Sequence, residues 1–223
     1  MNLEILQRDK LKLGGFAGLT EHQLIIDQRI GGDEQTWNGM GNFVYLADAR
    51  FQPKGETKMH SHSEIDVISV MVEGKIEHEG SLKHGQSLQA NQVQVQRAGG
   101  EGFSHNEINP ENKKNRMIQL WVLPEIQGEP ASYKLYNLKQ DQLTHIYGGS
   151  KDQNKTLESH TIINIGLLSA QQEIIKEGNF LLYMIQGSAN LNNKKIQEGD
   201  LIRGENLNFQ ALKQSLLMIV TVE

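Results

Sequence analysis

Two pairs of residues in this chain have the types and the spacing of metal ligands. His60 and His62 stand in the run "KMHSHSEIDVISVMVEG", and His105 and Glu107 stand in "GFSHNE". Residues two apart on a β-strand share a face, so each pair points its side chains in one direction. If the two strands are neighbours, three imidazoles and one carboxylate converge. These donors suit iron, manganese, nickel, copper or zinc, and on an octahedral ion they leave two positions open.

Spacing alone does not decide which carboxylate belongs to this ligand set. Glu64 and Asp66 follow His62 at the same two-residue interval, and both could share the face of the two histidines. Either of them could therefore replace Glu107 as a ligand.

The other histidines lack such a partner. His78 and His84 flank a turn, and we expect them to be exposed or locally hydrogen-bonded. We expect a solvated surface position for the remaining three, which are His22, His145 and His160. The glycine-rich "AGGEG" has no Lys-Ser/Thr of a phosphate loop, and no Gly-x-Ser-x-Gly nucleophile elbow occurs. Phosphate-loop and serine-hydrolase chemistry are therefore disfavoured.

Composition narrows the classes of protein further. The 223 residues are 37% hydrophobic and carry a net charge of −5, which indicates a globular protein and argues against direct binding to nucleic acid. The chain has no cysteine, so disulfides and thiolate metal sites are excluded. No apolar run reaches the ~18 residues of a membrane span, and no secretory signal is evident. We expect a cytoplasmic, monomeric protein that does not bind membranes.

The elements that must position the two pairs are strands. Short β-like runs dominate, and "QVQVQ" alternates as a half-buried strand does. A faint repeat relates "VISVMVEGKIEHEG" to "LLYMIQGSANLNNKKIQEGD", and Gly74 and Gly187 occupy equivalent positions in it. We predict an all-β chain of two tandem antiparallel β-barrel domains, at 1–135 and 140–223. The alternative is one large sandwich with similar hairpins.

Three segments also resemble a known family. "HSHSEIDVISVMVEGKIEHEGSL", "QVQVQRAGGEGFSHNE" and "RMIQLWVLP" are similar to the pirins, which are two-domain cupins (bicupins) of jelly-roll barrels. The resemblance implies that His60, His62, His105 and Glu107 bind one divalent metal. Fe(II) is the expected ion, with Mn, Ni, Cu or Zn as alternatives. The resemblance also assigns the role of carboxylate ligand to Glu107 and places Asp66 at a non-ligand position.

The resemblance also has consequences beyond the ligand set. The segment of the second repeat, "SAQQEIIKEGNF", contains no histidine, which implies a metal-free second cupin. Ser61 replaces the proline of the family motif, and "SEI" replaces its Arg-Gly-Phe. The loop beside the metal is therefore more acidic and differently shaped, which leaves the substrate open.

Two functions of different class follow from the resemblance. The first is a metal-dependent dioxygenase of the quercetin 2,3-dioxygenase type, acting on a flavonol or another small aromatic substrate with dioxygen. Glu107 would then bind the metal and accept the proton of the substrate hydroxyl. The second is a non-enzymatic iron-binding regulator that binds a protein partner in a redox-dependent way. A sugar or nucleotide-sugar isomerase is a weaker third reading, because cupins support many chemistries.

Overall fold

A computed structural model describes residues 3–34, 36–81 and 87–223, and strands make up most of them. In chain order the strands are β1 (Glu4–Gln7), β2 (Gly14–Phe16), β3 (Leu19–Ile26), β4 (Phe43–Phe51), β5 (His60–His62), β6 (Asp66–Glu73), β7 (Lys75–Gly80), β8 (Ser87–Gln89), β9 (Gln92–Arg97), β10 (Phe103–Ile108), β11 (Arg116–Val122), β12 (Ser132–Asn137), β13 (Gln142–Gly149), β14 (Ser159–Leu168), β15 (Glu173–Gln186), β16 (Ser188–Leu191), β17 (Lys194–Gln197), β18 (Asp200–Ala211) and β19 (Ser215–Val222). Single 3₁₀ turns occur at Arg8–Lys10 and Gln28–Ile30. Within the described ranges, no helix is long and apolar enough to cross a membrane.

The chain divides into two compact units. The amino-terminal unit is Leu11–Asn137, and the carboxy-terminal unit is Leu138–Glu223 together with the described residues before Leu11. The predicted first domain, 1–135, thus differs at its start. The reason is a strand pairing: β1 lies antiparallel on β18, with Glu4 opposite Arg203. The local sequence pattern around β1 does not indicate a pairing partner near the other end of the chain.

The amino-terminal unit is built from two antiparallel sheets. The larger has the strand order β12-β9-β6-β11-β4-β3-β2, and the smaller has the order β5-β10-β7-β8. One apolar cluster takes side chains from both sheets, so the sheets face each other across it, as in a jelly roll. Its buried members are Leu19, Ala49, Phe51, Met71, Ile76, Leu88 and Met117.

The carboxy-terminal unit repeats the all-antiparallel plan with one continuous sheet. Its strand order is β13-β14-β19-β15-β18-β16-β17, with β1 added on β18. The core is aliphatic and aromatic, and its buried members are Leu168, Phe180, Leu182, Met184, Ala189, Leu191, Ile196, Ile202, Leu207, Phe209, Ala211, Leu217 and Ile219. The predicted all-β fold class is confirmed.

Strand β9 departs from the expectation for "QVQVQ". The alternation is present, but Gln94 and Gln96 are 1% and 2% exposed, while Val93 and Val95 are fully buried. Gln94 reaches His78 on the smaller sheet, with 3.3 Å between the two Nε2 atoms, so the glutamine face points into the unit. The prediction of a half-buried strand is therefore wrong. The two amides hydrogen-bond each other at 2.7 Å, which offsets the cost of their burial.

A buried ion pair ties two central strands of the larger sheet together. Arg116 on β11 donates to both carboxylate oxygens of Asp48 on β4, at 2.9 Å from Nε and 2.6 Å from a terminal nitrogen. The two side chains are 1% and 0% exposed. Removing one partner of such a pair leaves a buried charge without compensation.

We therefore expect Asp48→Asn to lower the free energy of unfolding by about 3–5 kcal/mol. Lys113→Gln is the matched control, because Lys113 pairs with Glu111 at 3.9 Å and its side chain is 71% exposed. That control should change stability by no more than about 1 kcal/mol. Urea unfolding curves of the three proteins measure both values, and equal losses in the two variants would contradict the assignment.

Candidate metal centre

The two predicted ligand pairs lie on adjacent strands. β5 and β10 pair antiparallel in the smaller sheet, with His60 opposite His105 and His62 opposite Phe103. Gly102 starts the approach to β10 with a left-handed φ of 70°. A Cβ there would stand 2.8 Å from the carbonyl oxygen of His62, so glycine is required for the close pairing.

Three imidazoles converge at this point. The Nε2 atoms of His60 and His105 are 2.9 Å apart. The ring centroid of His62 lies 4.9 Å from that of His60 and 5.1 Å from that of His105. The three residues each offer a nitrogen within 4.8 Å of the others. We call His60, His62 and His105 the three-histidine cluster.

The structure places Glu107 beside this cluster, on its His105 side. Glu107 is 4% exposed and belongs to a second group with His78 and His105, whose ligand atoms also lie within 4.8 Å of one another. Its Oε1 is 3.2 Å from Nε2 of His78 and 3.5 Å from the hydroxyl oxygen of Ser69. His105 is thus common to both groups, and it joins the carboxylate to the cluster.

The two alternative carboxylates have other partners. Glu64 adopts a left-handed φ of 52° and accepts the backbone N–H of Gly128 at 3.0 Å. Asp66 is fully buried and is bound by Arg97, with 3.0 Å between its Oδ2 and a terminal guanidinium nitrogen. Neither belongs to the groups of possible metal ligands among the described residues.

These placements predict opposite effects for two isosteric substitutions. Glu107→Gln removes a buried negative charge from the site, and we expect it to weaken metal binding by roughly 100-fold or more. Glu64→Gln removes an equal charge near the same loop, and it should leave the metal affinity within about threefold of wild type. Competition titrations with a chelator of known affinity compare the variants. The reverse order of effects would mean that Glu64 is the ligand.

The remaining histidines divide into two sets. His145 and His160 are exposed, as predicted, whereas His22 is half-buried. His78 contradicts its prediction, because its side chain is 3% exposed and contacts Glu107, which is 29 positions away. His84 lies outside the described residues.

The electrostatics of the site favour the protonation states that bind metal. Burial lowers the pKa of His62 to about 4, helped by the nearby His60 and opposed by Glu107. Burial likewise lowers the pKa of His105 to about 3. For Glu107, burial raises the pKa, but the hydrogen bond from His78 and the neighbouring imidazoles outweigh it and bring the pKa to about 2. Neutral imidazoles and an ionised carboxylate are the forms that coordinate a cation.

The donor atoms also fit a metal geometrically. Two nitrogens each about 2.1 Å from one ion, at the right angle of octahedral coordination, are about 3.0 Å apart, close to the separation of the Nε2 atoms of His60 and His105. His60 donates from Nδ1 to the carbonyl oxygen of Lys58 at 2.9 Å, which leaves its Nε2 lone pair free. The Nε2 atom of His62 is buried with no hydrogen-bond partner among the described residues. A cation would satisfy it.

Aromatic side chains form one side of the cluster. The ring of Trp121 lies 5.7 Å from that of His62, centroid to centroid, and stacks on Tyr45 at 4.3 Å. Phe103 packs 5.3 Å from His62. Cross-strand pairing places Trp121 directly opposite Tyr45 on one face of the larger sheet. The site therefore combines a polar, metal-ligating wall with a flat apolar one.

Two all-antiparallel β units, with three histidines and a glutamate grouped in the first of them, define the bicupin class. Residues 26–122 match the family model described as Pirin. The resemblance found in the sequence is confirmed by this match over residues 26–122.

Two curated relatives and one solved structure are similar to this chain over most of its length. A protein of Zymomonas mobilis, named provisionally as a quercetin 2,3-dioxygenase, is 26% identical over 78% of this chain and 80% of its own length. The quercetin 2,3-dioxygenase of Escherichia coli K12 is 23% identical over 63% of this chain and 64% of its own length, just under two thirds. The E. coli pirin YhhW, solved in complex with nickel(II), superposes with a TM-score of 0.84 at 14% identity, covering 99% of both chains.

Proposed function

We propose that this protein is a metal-dependent dioxygenase of the quercetin 2,3-dioxygenase type, acting on a flavonol or a similar small aromatic substrate. His60, His62, His105 and Glu107 would hold one divalent transition metal. The observation that carries the proposal is the convergence of three imidazoles next to a buried carboxylate. The names of the Zymomonas and E. coli relatives support the reaction class.

The identity of the metal is part of the proposal. Fe(II) is our first expectation, and the nickel(II) complex of YhhW supports a site of this type that also accepts nickel. Mixed nitrogen and oxygen donors accept several first-row ions, with affinities that follow the Irving–Williams order. Availability of the metal therefore decides occupancy as much as the protein does.

Each part of the site has a defined task in this reaction. A bound divalent metal supplies Lewis acidity, open coordination positions and the acidification of a substrate hydroxyl. Glu107 is the residue that accepts the hydroxyl proton, since it is ionised and stands beside His105. With a pKa of about 2 it is a weak base, so the transfer needs a hydroxyl that is already acidified.

The aromatic side suits a flat substrate. Trp121 and Phe103 approach His62 at ring-centroid distances of 5.7 and 5.3 Å, and they offer apolar surface beside the ligands. A planar polyphenol can place its rings against such surface while its oxygens face the imidazoles. The same apolar wall keeps water away from the reacting atoms.

Depletion of a flavonol by metal-loaded protein tests the proposal. We expect the absorbance of the flavonol to fall under air and to stay constant under argon, because dioxygen is a co-substrate. Apoprotein prepared with a chelator is the control for metal dependence. Equal depletion under both gases would contradict an oxygenase.

A further inference from the structure

His78 lies behind the proposed metal centre rather than at the surface. It stands on β7 directly opposite Glu107 on β10 in the antiparallel pair. Its side chain is 3% exposed, and its Nε2 is 3.2 Å from Oε1 of Glu107. Its Nδ1 is buried and has no hydrogen-bond partner among the described residues. The polar contact that fixes this ring is therefore the one from Nε2 to Glu107.

The direction of the contact with Glu107 follows from chemistry. An ionised carboxylate only accepts hydrogen bonds, so Nε2 of His78 must carry the proton. The bond therefore occupies Oε1 of Glu107 and leaves Oε2 as the freer oxygen.

Other polar groups pack around the imidazole. The amide nitrogen of Gln94 lies 3.3 Å from Nε2 of His78, and since both nitrogens then carry protons this is a packing contact rather than a hydrogen bond. That amide is in turn bound to Gln96 at 2.7 Å and to the hydroxyl of Tyr133 at 3.4 Å. Tyr133 stands on β12 at the edge of the larger sheet, so the contacts run from that edge to Glu107.

A second contact connects His78 to the three-histidine cluster. Its ring lies 5.7 Å from the ring of His105, centroid to centroid, with 24° between the planes. His78 therefore touches two of the proposed ligands, one by a hydrogen bond and one by ring stacking. A group in that position limits the rotation of both side chains.

We propose that His78 is a positioning residue of the metal centre. It holds the Glu107 carboxylate through Oε1 and supports the ring of His105, without binding the metal. This inference rests on the proposed metal centre and adds to it a residue that contacts the ligands without binding the metal. Partners of this kind orient ligands and typically change metal affinity by about 10–100-fold when they are removed.

Two substitutions separate the hydrogen bond from the ring. His78→Phe keeps a flat ring beside His105 but cannot donate to Glu107. His78→Gln loses the ring but keeps an N–H at a similar distance from the backbone. We expect His78→Phe to weaken Mn(II) or Zn(II) binding by roughly 10–100-fold and His78→Gln by less than about fivefold. Chelator competition on the purified, full-length proteins measures both affinities.

The number of coordinated imidazoles distinguishes positioning from ligation. In Cu(II)-loaded protein with ¹⁵N-labelled histidine, pulsed electron paramagnetic resonance should show the same number of bound imidazoles in wild type and in His78→Gln. Loss of one imidazole would show that His78 is a ligand and would overturn the proposal. Wild-type affinity in a folded His78→Phe protein would overturn it as well.

A test on the wild-type protein does not depend on the folding of His78→Phe. In Zn(II)-loaded protein, two-bond ¹H–¹⁵N spectra should show His78 as the neutral tautomer with its proton on Nε2. His78→Gln identifies the signal by its disappearance. A proton on Nδ1 would exclude donation to Glu107 and would overturn the inference.

Failure of the proposed function has a different signature. If the affinities follow the expected order but no flavonol is oxidised, the dioxygenase proposal fails and the role of His78 stands. If the wild-type protein binds no metal, the proposed centre fails and this inference fails with it.

Discussion

Replacing His60 and His62 together with alanine should reduce the metal content from about one ion per chain to background. The two substitutions remove two of the three imidazoles that converge, including the nitrogen of His62 that has no hydrogen-bond partner among the described residues. Of the four proposed ligands, only the two donors of His105 and Glu107 remain, and Nε2 of His78 is already engaged by Glu107. Two donors at a buried position do not compensate the dehydration of a divalent ion.

Elemental analysis of protein reloaded with Fe(II), Mn(II) or Ni(II) measures this effect. His145→Ala combined with His160→Ala is the matched control, since it removes the same number of imidazoles from exposed positions in the carboxy-terminal unit. Circular dichroism should show native strand content in both double variants, because β5 pairs with β10 through backbone groups. Full occupancy in the His60/His62 variant would place the metal elsewhere.

The strands of this fold were readable from the sequence because alternation and turn residues are local signals. The pairing of strands is not local, and the sequence therefore missed the partner of β1, which is β18 near the other end of the chain. Burial of a face is not local either, and the half-buried strand predicted for β9 is wrong for that reason. Gln94 and Gln96 point inward, where their amides hydrogen-bond each other.

The two-residue alternation of side chains along a strand could not decide between Glu64 and Glu107 as the carboxylate ligand. Glu64 could share the face of His60 and His62 only on an unbroken strand. β5 ends at His62 and β6 begins at Asp66, and Glu64 between them has a left-handed φ of 52°. The break reorients the chain, and Glu64 then binds Gly128. The pirin resemblance favoured Glu107 without this information.

His78 was missed although the sequence carried a signal for it. In "KIEHEG", Ile76 and His78 alternate with charged residues, and Ile76 is fully buried. Period two from Ile76 points His78 inward, toward the core of the unit. The contact with Glu107 needed one further fact, that β7 pairs with β10 with these two residues opposite each other. That register comes from the packing of the whole unit.

The second large effect is expected in the reaction itself. Metal-loaded protein should consume dioxygen when a flavonol is added. His105→Ala should reduce the rate of this consumption by more than about 100-fold. That loss exceeds the roughly 10–100-fold effect of removing a residue that only orients a ligand. His105 is common to both groups of possible ligands, so its removal affects the three-histidine cluster and Glu107 together. It is 3% exposed, which makes a folding control necessary.

An oxygen electrode with several flavonols measures the rates, and His145→Ala is the control for loss of an exposed imidazole. Thermal unfolding of each apoprotein separates loss of activity from loss of structure. A folded His105→Ala protein that retains wild-type uptake would remove the metal centre from the reaction. Flat traces from fully metallated wild type would instead favour the iron-binding regulator. In that case a partner protein should bind with different affinities to the reduced and the oxidised forms, because the two forms differ in charge at the site.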